Sequence, residues 1–372
     1  MRLDPARVMF IYWGRRGSLA KFTLEVGLAA VSDPRVAATI SVSRQSELFA
    51  EYSQLGDALF PVDTFERSSG AVLEAWRIPG LRRCLAERLR RDRIEVVIEL
   101  MAHVWSPLVV PAIKRLGVRY VPVIHDAAPH PGDPTALVNG WLNRIIPEAD
   151  LIFTLSSSVA TRLADQGLAP AAKIFPLFHP DLDYGPGKLD TVPGVGRSIR
   201  LLFLGRILPY KGLGLFLESV ELLRQDGIDA QVGVFGEGDL GEWRNKLDRL
   251  GAEVVNRWLS DDEISAALSS YHAVVLSHTS ASQSGVAAAA FGAGRPVIAT
   301  PVGGLLEQVQ HGVTGLMAVR VDARALADEI KALVEEPGLY AMFRREIANR
   351  ARDRSVLRFV EECVSQAVHI PL

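Results

Sequence analysis

Residues 272–307 read HAVVLSHTSASQSGVAAAAFGAGRPVIATPVGGLLE. Ala273–Leu276 and Pro296–Ala299 are short apolar runs suited to strands of a parallel sheet, which read as continuously hydrophobic because both faces are covered. Between them Ser280, Ser282, Gln283, Ser284 and Gly285 form a polar loop that opens a helix near Val286, running through Ala287–Ala290. A helix start offers unpaired N–H groups and the positive end of the helix dipole, which suits a phosphate or a diphosphate. Four consecutive alanines let such a helix lie close to its sheet. An ordinary strand–loop–helix unit of an α/β domain accounts for the same pattern, so this stretch alone leaves both readings open.

Working outward, the alternation continues on both sides. Arg7–Tyr12, Val36–Val42, Ile94–Leu100, Tyr120–Ile124 and Asp150–Thr154 read as strands, with helices at Ser18–Ala30, Ser106–Leu116 and Ser156–Gln166 between them. Residues 183–198, DYGPGKLDTVPGVGRS, are rich in Gly and Pro and carry no periodicity, which marks a linker. The pattern then restarts with strands at Ile199–Leu204, Ala230–Phe235 and Ala252–Val255, and helices at Leu213–Gln225, Leu240–Leu250 and Asp261–Ser270. Alternation of this kind predicts two doubly wound parallel sheets. A chain of 372 residues also exceeds what one hydrophobic core usually serves. The domains are expected at 1–185 and 198–354, with a C-terminal helix (355–372) packing back on the first. Ligands of such sheets bind beyond the carboxyl ends of the strands, so a cleft between two lobes is the expected site.

Composition narrows the class. With 48% hydrophobic and 23% charged residues the chain is a globular protein, and a net charge of −2 gives no global reason to expect nucleic acid. The two cysteines, Cys84 and Cys363, lie far apart, which excludes a Cys-based zinc cluster and fits a reducing compartment. The apolar run in MRLDPARVMFIYWGRRG is too short for a signal peptide, and no stretch reaches the length of a spanning helix. A cytoplasmic location is expected.

A second anion-binding pattern lies at Gly205-Arg-Ile-Leu-Pro-Tyr-Lys-Gly212, directly after a strand. Two cations on one strand-to-helix loop can grip a diphosphate, Arg206 as a planar fork and Lys211 as a point charge. Beside the helix start at Ser284 and Gly285 they point to a nucleotide diphosphate. Other clusters carry less. His125, Asp126, His130 and Asp133 fall within nine residues, but Pro129, Pro131 and Pro134 make the segment extended, not the helical display of a zinc pair. His103 follows a strand end and is a candidate acceptor contact along with His130, whereas His179 reads as structural.

These residues carry a resemblance to the retaining glycosyltransferases of family 4, also called group one glycosyltransferases. The matching pieces are Gly205-Arg206-x4-Lys211-Gly212, Gly236-Glu-Gly238 and Trp258-x-Ser-Asp-Asp-Glu-Ile-x3-Leu268. They continue with the Ser280–Leu305 segment and, in the first half, Gly14 and Gly17, Val123-Ile-His-Asp126 and Thr154-Leu-Ser-Ser. The resemblance implies the α/β GT-B fold, two facing Rossmann-like domains with a deep interdomain cleft, and a hexosyltransferase activity. It further implies a UDP- or GDP-sugar donor, no metal or other cofactor, and a saccharide or lipid-linked acceptor in surface polysaccharide assembly. By the same resemblance His125, Asp126, Arg206 and Lys211 would be catalytic. Gly14, Gly17, Gly205, Gly236, Glu263, Ile264, Ser280, Ser282, Gln283, Ser284, Gly285 and Val286 would contact the donor. Many members carry two glutamates eight positions apart in the Ser280–Leu305 segment, whose places fall here at Ala289 and near Ser280 or Ala281. Either Ser280, Ser282 and Gln283 take over those contacts, or the chain has lost transfer. The intact His125/Asp126 and Gly205/Arg206/Lys211 sets favour the first. Glu307 matches a further recurrent position. A nucleotide-sugar epimerase would need acid and base carboxylates, for which only Asp126 and Glu99 are candidates, and a non-catalytic nucleotide-sugar-binding partner is the other alternative.

The helix at Gly80–Ile94 carries six arginines, Arg82, Arg83, Arg88, Arg90, Arg91 and Arg93, against Glu87 and Asp92. It reads either as a solvated face or as a peripheral contact with anionic headgroups at the inner face of the cell membrane. Arg15 and Arg16, in the first strand-to-helix loop, would add charge on the acceptor side or meet the donor phosphates.

Overall fold

A computed structural model describes residues 4–67, 69–129, 136–185 and 198–369. His130 and most of the linker lie outside them.

The chain forms two compact units. In the first, β1 (Ala6–Tyr12), β2 (Val36–Ser43), β3 (Leu59–Val62), β4 (Val96–Met101), β5 (Arg119–Ile124), β6 (Ile152–Thr154) and β7 (Ile174–Pro176) form one sheet. Their order is β3-β2-β1-β4-β5-β6-β7. Every pair is parallel. The second unit has β8 (Ser198–Leu204), β9 (Asp229–Phe235), β10 (Glu253–Val255), β11 (Ala273–Leu276), β12 (Val297–Ala299) and β13 (Gly315–Met317), in the order β10-β9-β8-β11-β12-β13. This sheet too is wholly parallel.

Helices on both faces explain the apolar strands. Met9, Ile11, Val97 and Tyr120 lie in the core of the first unit. In the second, Leu201, Phe203, Val232 and Ile298 pack with Phe216, Val220 and Leu326 from helices. The strand expectations hold to within two residues at each end. The strands that sequence pattern misses are β3, β7 and β13, which are all edge strands. They are three or four residues long, and β3 and β7 contain Pro61 and Pro176, a residue tolerated only where one side of the ladder needs no donor. The expected helix at Leu240–Leu250 is shorter, Arg244–Leu250, because Asp239 Oδ1 accepts from Gly241 N at 2.8 Å and holds a turn ahead of it.

The C-terminal helix, Val356–Val368, belongs to the first unit. Phe359, Val360 and Cys363 are buried there, and the Phe359 ring meets Phe22 edge-on at 5.3 Å. Arg35 binds Glu361 at 2.6 Å, and Arg119 Nη1 donates to the Val368 carbonyl at 2.6 Å.

The arginine-rich helix spans Ile78–Arg91 and buries Leu81, Leu85 and Leu89. Five of the six arginines lie on it and Arg93 just beyond its end, and the six do not form one outward face, which corrects the sequence reading. Arg82 donates inward to the Leu108 carbonyl at 2.6 Å. Arg88 is tied to Asp92 and lies 5.4 Å from the Phe60 ring centre. Arg83, Arg90, Arg91 and Arg93 are exposed. Among the described residues no helix is long and apolar enough to cross a membrane.

Candidate functional site

In the second unit β8 lies between β9 and β11, so the chain leaves β8 toward one edge and later returns to its other side. A doubly wound sheet opens a crevice at this reversal, where loops leave the carboxyl ends of neighbouring strands in opposite directions. The loop after β8 carries Arg206 and Lys211, and the loop after β11 carries Ser280–Ser284. Strand order therefore brings together two segments that are about seventy residues apart in sequence.

Glycines set how closely they approach. Gly212 has φ +70°, and a Cβ there would lie 1.9 Å from the Ser277 carbonyl oxygen. The Ser277 hydroxyl donates to the Gly212 carbonyl at 2.9 Å, and Thr279 N donates to the Tyr210 carbonyl at 2.8 Å. Gly205 has φ +102°, and its missing Cβ would sit 3.1 Å from Val286 Cγ2, at the start of the alanine helix. A Cβ on Gly236 would meet the Gly205 oxygen at 2.0 Å, so the β9 loop is laid against the β8 loop backbone to backbone. Arg206 is exposed on this platform, while Lys211 is half-buried.

The alanine helix spans Gly285–Gly292 and is capped by Ser284, whose hydroxyl accepts from Ala287 N. Ala287–Ala290 are buried, and a Cβ on Gly292 would lie 1.9 Å from the Leu182 carbonyl oxygen. One expectation changes here. The Ser284 amide donates to Gln308 Oε1 at 2.7 Å, and Gln308 Nε2 returns a bond to the Ser284 carbonyl at 3.1 Å. The first-turn N–H groups of Gly285 and Val286, which helix geometry leaves without an intrahelical acceptor, are the donors that remain. Gln308 thus anchors the loop, a role that no local sequence signal announces.

Around this centre, Ser282 is buried, Ser280 and Gln283 are half-buried, and Glu307 is exposed. Of the residues at or near the family glutamate places, Ala281 and Ala289 are buried and Ser280 is half-buried. Glu263 is occupied locally. It completes a capping box with Ser260 at the start of Asp261–Ser270 and pairs with Arg257, whose hydrogen bond holds its carboxyl down at about 2. Ile264 follows in the same helix. The arginine of the Gly-Arg-Pro turn, Arg295, is fully buried and donates to the Leu268 carbonyl and the Tyr340 hydroxyl at 2.8 and 2.9 Å, a packing role. His278, which sequence reading passed over, is buried beside Lys211, with Nε2 2.8 Å from the ammonium nitrogen.

In the first unit, His125 stands at the end of β5 with Nε2 2.6 Å from the Leu100 carbonyl oxygen. That contact requires a proton on Nε2, and burial lowers the imidazole pKa, so the neutral ring keeps Nδ1 as its acceptor. Asp126 beside it is exposed. His103 does not fit the acceptor role expected of it. It is buried, its ring stacks on Phe65 at 5.1 Å and meets Trp105 and Trp13 edge-on, and its Nδ1 accepts from Trp105 N at 3.3 Å. Burial, with Arg15 nearby, pushes its pKa down to about 3. Gly17 is also committed: its amide donates to Glu47 Oε1 at 2.7 Å, which puts a carboxylate where the resemblance implies a donor contact. A Cβ on Gly14 would overlap the Tyr12 ring at 2.5 Å, so this glycine is explained by packing. His179, in the second unit, is buried with Nδ1 2.9 Å from the Pro180 carbonyl oxygen.

Glu99 is buried at 2% exposure and accepts from the Ser106 and Tyr120 hydroxyls. Burial is the largest influence and lifts its carboxyl from 4.5 to about 7, against the pull of those hydroxyls. An acid whose folded pKa exceeds its unfolded value binds more protons when folded, so its contribution to stability is present below pH 4.5 and lost as pH rises toward about 7. The shift corresponds to roughly 3 kcal/mol. The urea midpoint of the first unit is expected to fall across that window, and Glu99→Gln to flatten the dependence. Equal pH slopes in the two proteins would remove Glu99 as the cause.

Comparison with known proteins adds an independent line. Residues 198–336 match the family described as glycosyl transferases group 1, and residues 57–176 match glycosyltransferase family 4. The chain is 26% identical to a 2-deoxystreptamine glucosyltransferase of Streptomyces kanamyceticus over 71% of this chain and 74% of that one. It is 33% identical to a D-inositol 3-phosphate glycosyltransferase of Pseudarthrobacter chlorophenolicus, over 42% of this chain and 39% of the other. Its structure resembles that of Anabaena HepE in complex with UDP-glucose, with a TM-score of 0.72 and 16% identity, covering 97% of this chain and 99% of that one.

Proposed function

Since the chain belongs to the family 4, group 1 glycosyltransferases of the GT-B fold, we propose that it is a retaining hexosyltransferase using a nucleotide-diphosphate sugar. The observation that carries this reading is the meeting of the Arg206/Lys211 loop with the Gly285–Val286 helix start at the strand-order reversal. Two cations and two backbone donors there match a diphosphate. As the bond from the anomeric carbon to the diphosphate breaks, the leaving group gains one negative charge. Arg206 and Lys211 stabilise that charge in place of a metal. With no glutamate at Ala289 or near Ser280 and Ala281, the sugar and ribose contacts fall to Ser280, Ser282 and Gln283.

A UDP-sugar is the favoured donor, because Anabaena HepE of the same fold is described with UDP-glucose. The first unit would take the acceptor, with His125 and Asp126 on that side. Glu99 offers no support for an epimerase, since its carboxyl is enclosed by Ser106 and Tyr120 instead of being presented to a ligand. A lipid-linked acceptor is supported by an apolar tip. Val72, Leu73 and Trp76 are 80%, 73% and 74% exposed, on a segment whose Ala71 carbonyl accepts from Trp105 Nε1 at 2.8 Å.

Purified protein incubated with UDP-glucose, other UDP-sugars and GDP-sugars should release UDP or GDP slowly from one donor and faster with acceptor, unaffected by EDTA. Donor binding with neither hydrolysis nor transfer would replace this reading with the non-catalytic one, and loss of turnover in EDTA would remove the metal-free mechanism. For the lipid-linked acceptor, flotation with vesicles containing anionic lipid should lift the protein, and Trp76→Ser should abolish the effect. Absence of flotation would discard that acceptor class.

A further inference from the structure

Lys211 has a long, flexible stem, and a freely rotating ammonium would lose about 2 kcal/mol of side-chain entropy when it met a phosphate. The structure shows it already held. Its nitrogen is 2.8 Å from His278 Nε2 and 5.3 Å from the centre of the Tyr210 ring, and that ring meets His278 edge-on at 6.2 Å. The backbone on both sides is pinned as well. Ser277, one residue before His278, donates its hydroxyl to the Lys211 and Gly212 carbonyls at 3.1 and 2.9 Å. The Thr300 hydroxyl donates to the His278 carbonyl.

An ammonium group has three donors and no lone pair. The nitrogen facing it must therefore be the acceptor, which fixes His278 as a neutral imidazole with its proton on Nδ1. The choice of a neutral acceptor has an electrostatic consequence. A carboxylate in this place would hold Lys211 equally well but set a negative charge against it, whereas a neutral ring orients the ammonium without adding a countercharge of its own. We propose that His278 is the positioning residue that presents the Lys211 ammonium to the donor diphosphate. The proposal rests on the reading of this loop as the diphosphate site. It also gives a reason for the histidine at the end of β11, a position that sequence pattern leaves as one more polar loop residue.

The test uses the full chain with UDP as the probe in calorimetry and the preferred UDP-sugar in kinetics. His278→Leu removes the acceptor at similar bulk, and His278→Gln places an amide oxygen near the position of Nε2. His278→Leu should weaken UDP binding about tenfold and lower kcat/KM at least as much, with His278→Gln within about threefold of the parent protein. In a Lys211→Met background, His278→Leu should add less than a twofold further loss, because the group it positions is gone. Equal impairment of the two His278 variants, or fully additive losses with Lys211→Met, would reduce His278 to a packing residue and overturn the proposal. If Lys211→Met leaves UDP binding unchanged, the diphosphate reading itself fails and the proposal fails with it. Nitrogen-15 spectra of the unmodified protein give a readout that no unstable variant can spoil. The His278 signals, assigned by their loss in His278→Gln, should show a protonated Nδ1 and a bare Nε2; an Nε2–H tautomer or an imidazolium would overturn the assignment.

Discussion

Lys211→Ala and Arg206→Ala are each expected to lower kcat/KM for sugar transfer about 100- to 1000-fold, the range typical of removing one group that stabilises developing charge. Both effects come from one event, the departure of the nucleoside diphosphate. The donor already carries negative charge when it binds, so part of each loss will appear in KM. Bond breaking adds a further charge to the leaving oxygen, so kcat must fall as well. The two cations should differ in a readable way. Arg206 is exposed and Lys211 half-buried, so the contribution of Arg206 should shrink more as salt is raised. Arg206→Lys should recover only part of the activity, because a point charge cannot replace a fork that holds two oxygens. Steady-state kinetics at two ionic strengths, with UDP release as the signal, decide the matter. Unchanged kcat/KM in both alanine variants would remove the diphosphate assignment.

Gly212→Ala is expected to be nearly as damaging, for a reason that involves no charge. The backbone at Gly212 has φ +70°, where side chains are rarely accommodated, and the added Cβ would lie 1.9 Å from the Ser277 carbonyl oxygen. Neither atom belongs to a flexible side chain, so relief requires the β8 and β11 loops to separate. That movement would break the Ser277–Gly212 and Thr279–Tyr210 bonds and shift Lys211 away from its place beside His278. Loss of UDP binding by about 100-fold is expected, with a lower thermal midpoint for the second unit and a cost on the order of 3 kcal/mol. Gly227→Ala is a control for positive φ alone, since it has φ +77° but no atom within 4 Å of its added Cβ. If the two variants behave alike, conformational strain explains the effect and the close approach of the loops does not.

These residues show where sequence is informative. The alternation of apolar runs with helical segments predicts two parallel α/β sheets, since strands covered on both faces must be hydrophobic throughout. It misses β3, β7 and β13 because edge strands can be short and can contain proline. Arg206, Lys211, Gly205 and Gly212 are legible because a cation pair on a strand-to-helix loop, bracketed by glycines, is a local pattern. His278 and Gln308 are not legible. Each acts through a partner distant in sequence, Lys211 and Ser284, and neither residue type is distinctive in a polar loop. His103 and Gly17 mislead for the same reason. A histidine after a strand and a glycine before a helix look ready for a ligand until Phe65, Trp105 and Glu47 are seen to occupy them.

The sequence by itself determined the fold class and, in residues 272–307, the strand, polar loop and capped alanine helix of one α/β unit. Periodicity and helix-start chemistry are local properties, written within a few residues. Only the tertiary structure decided which of the candidate groups belong together. The placement of β11 beside β8 brings Lys211 against His278 and the loop after β8 against the start of the alanine helix. The same packing commits the Ser284 amide to Gln308, so the donor role proposed for this helix start falls to the next two amides. Partner choice of this kind depends on strand order and on backbone contacts that glycine permits, and neither is encoded within reach of the residues concerned.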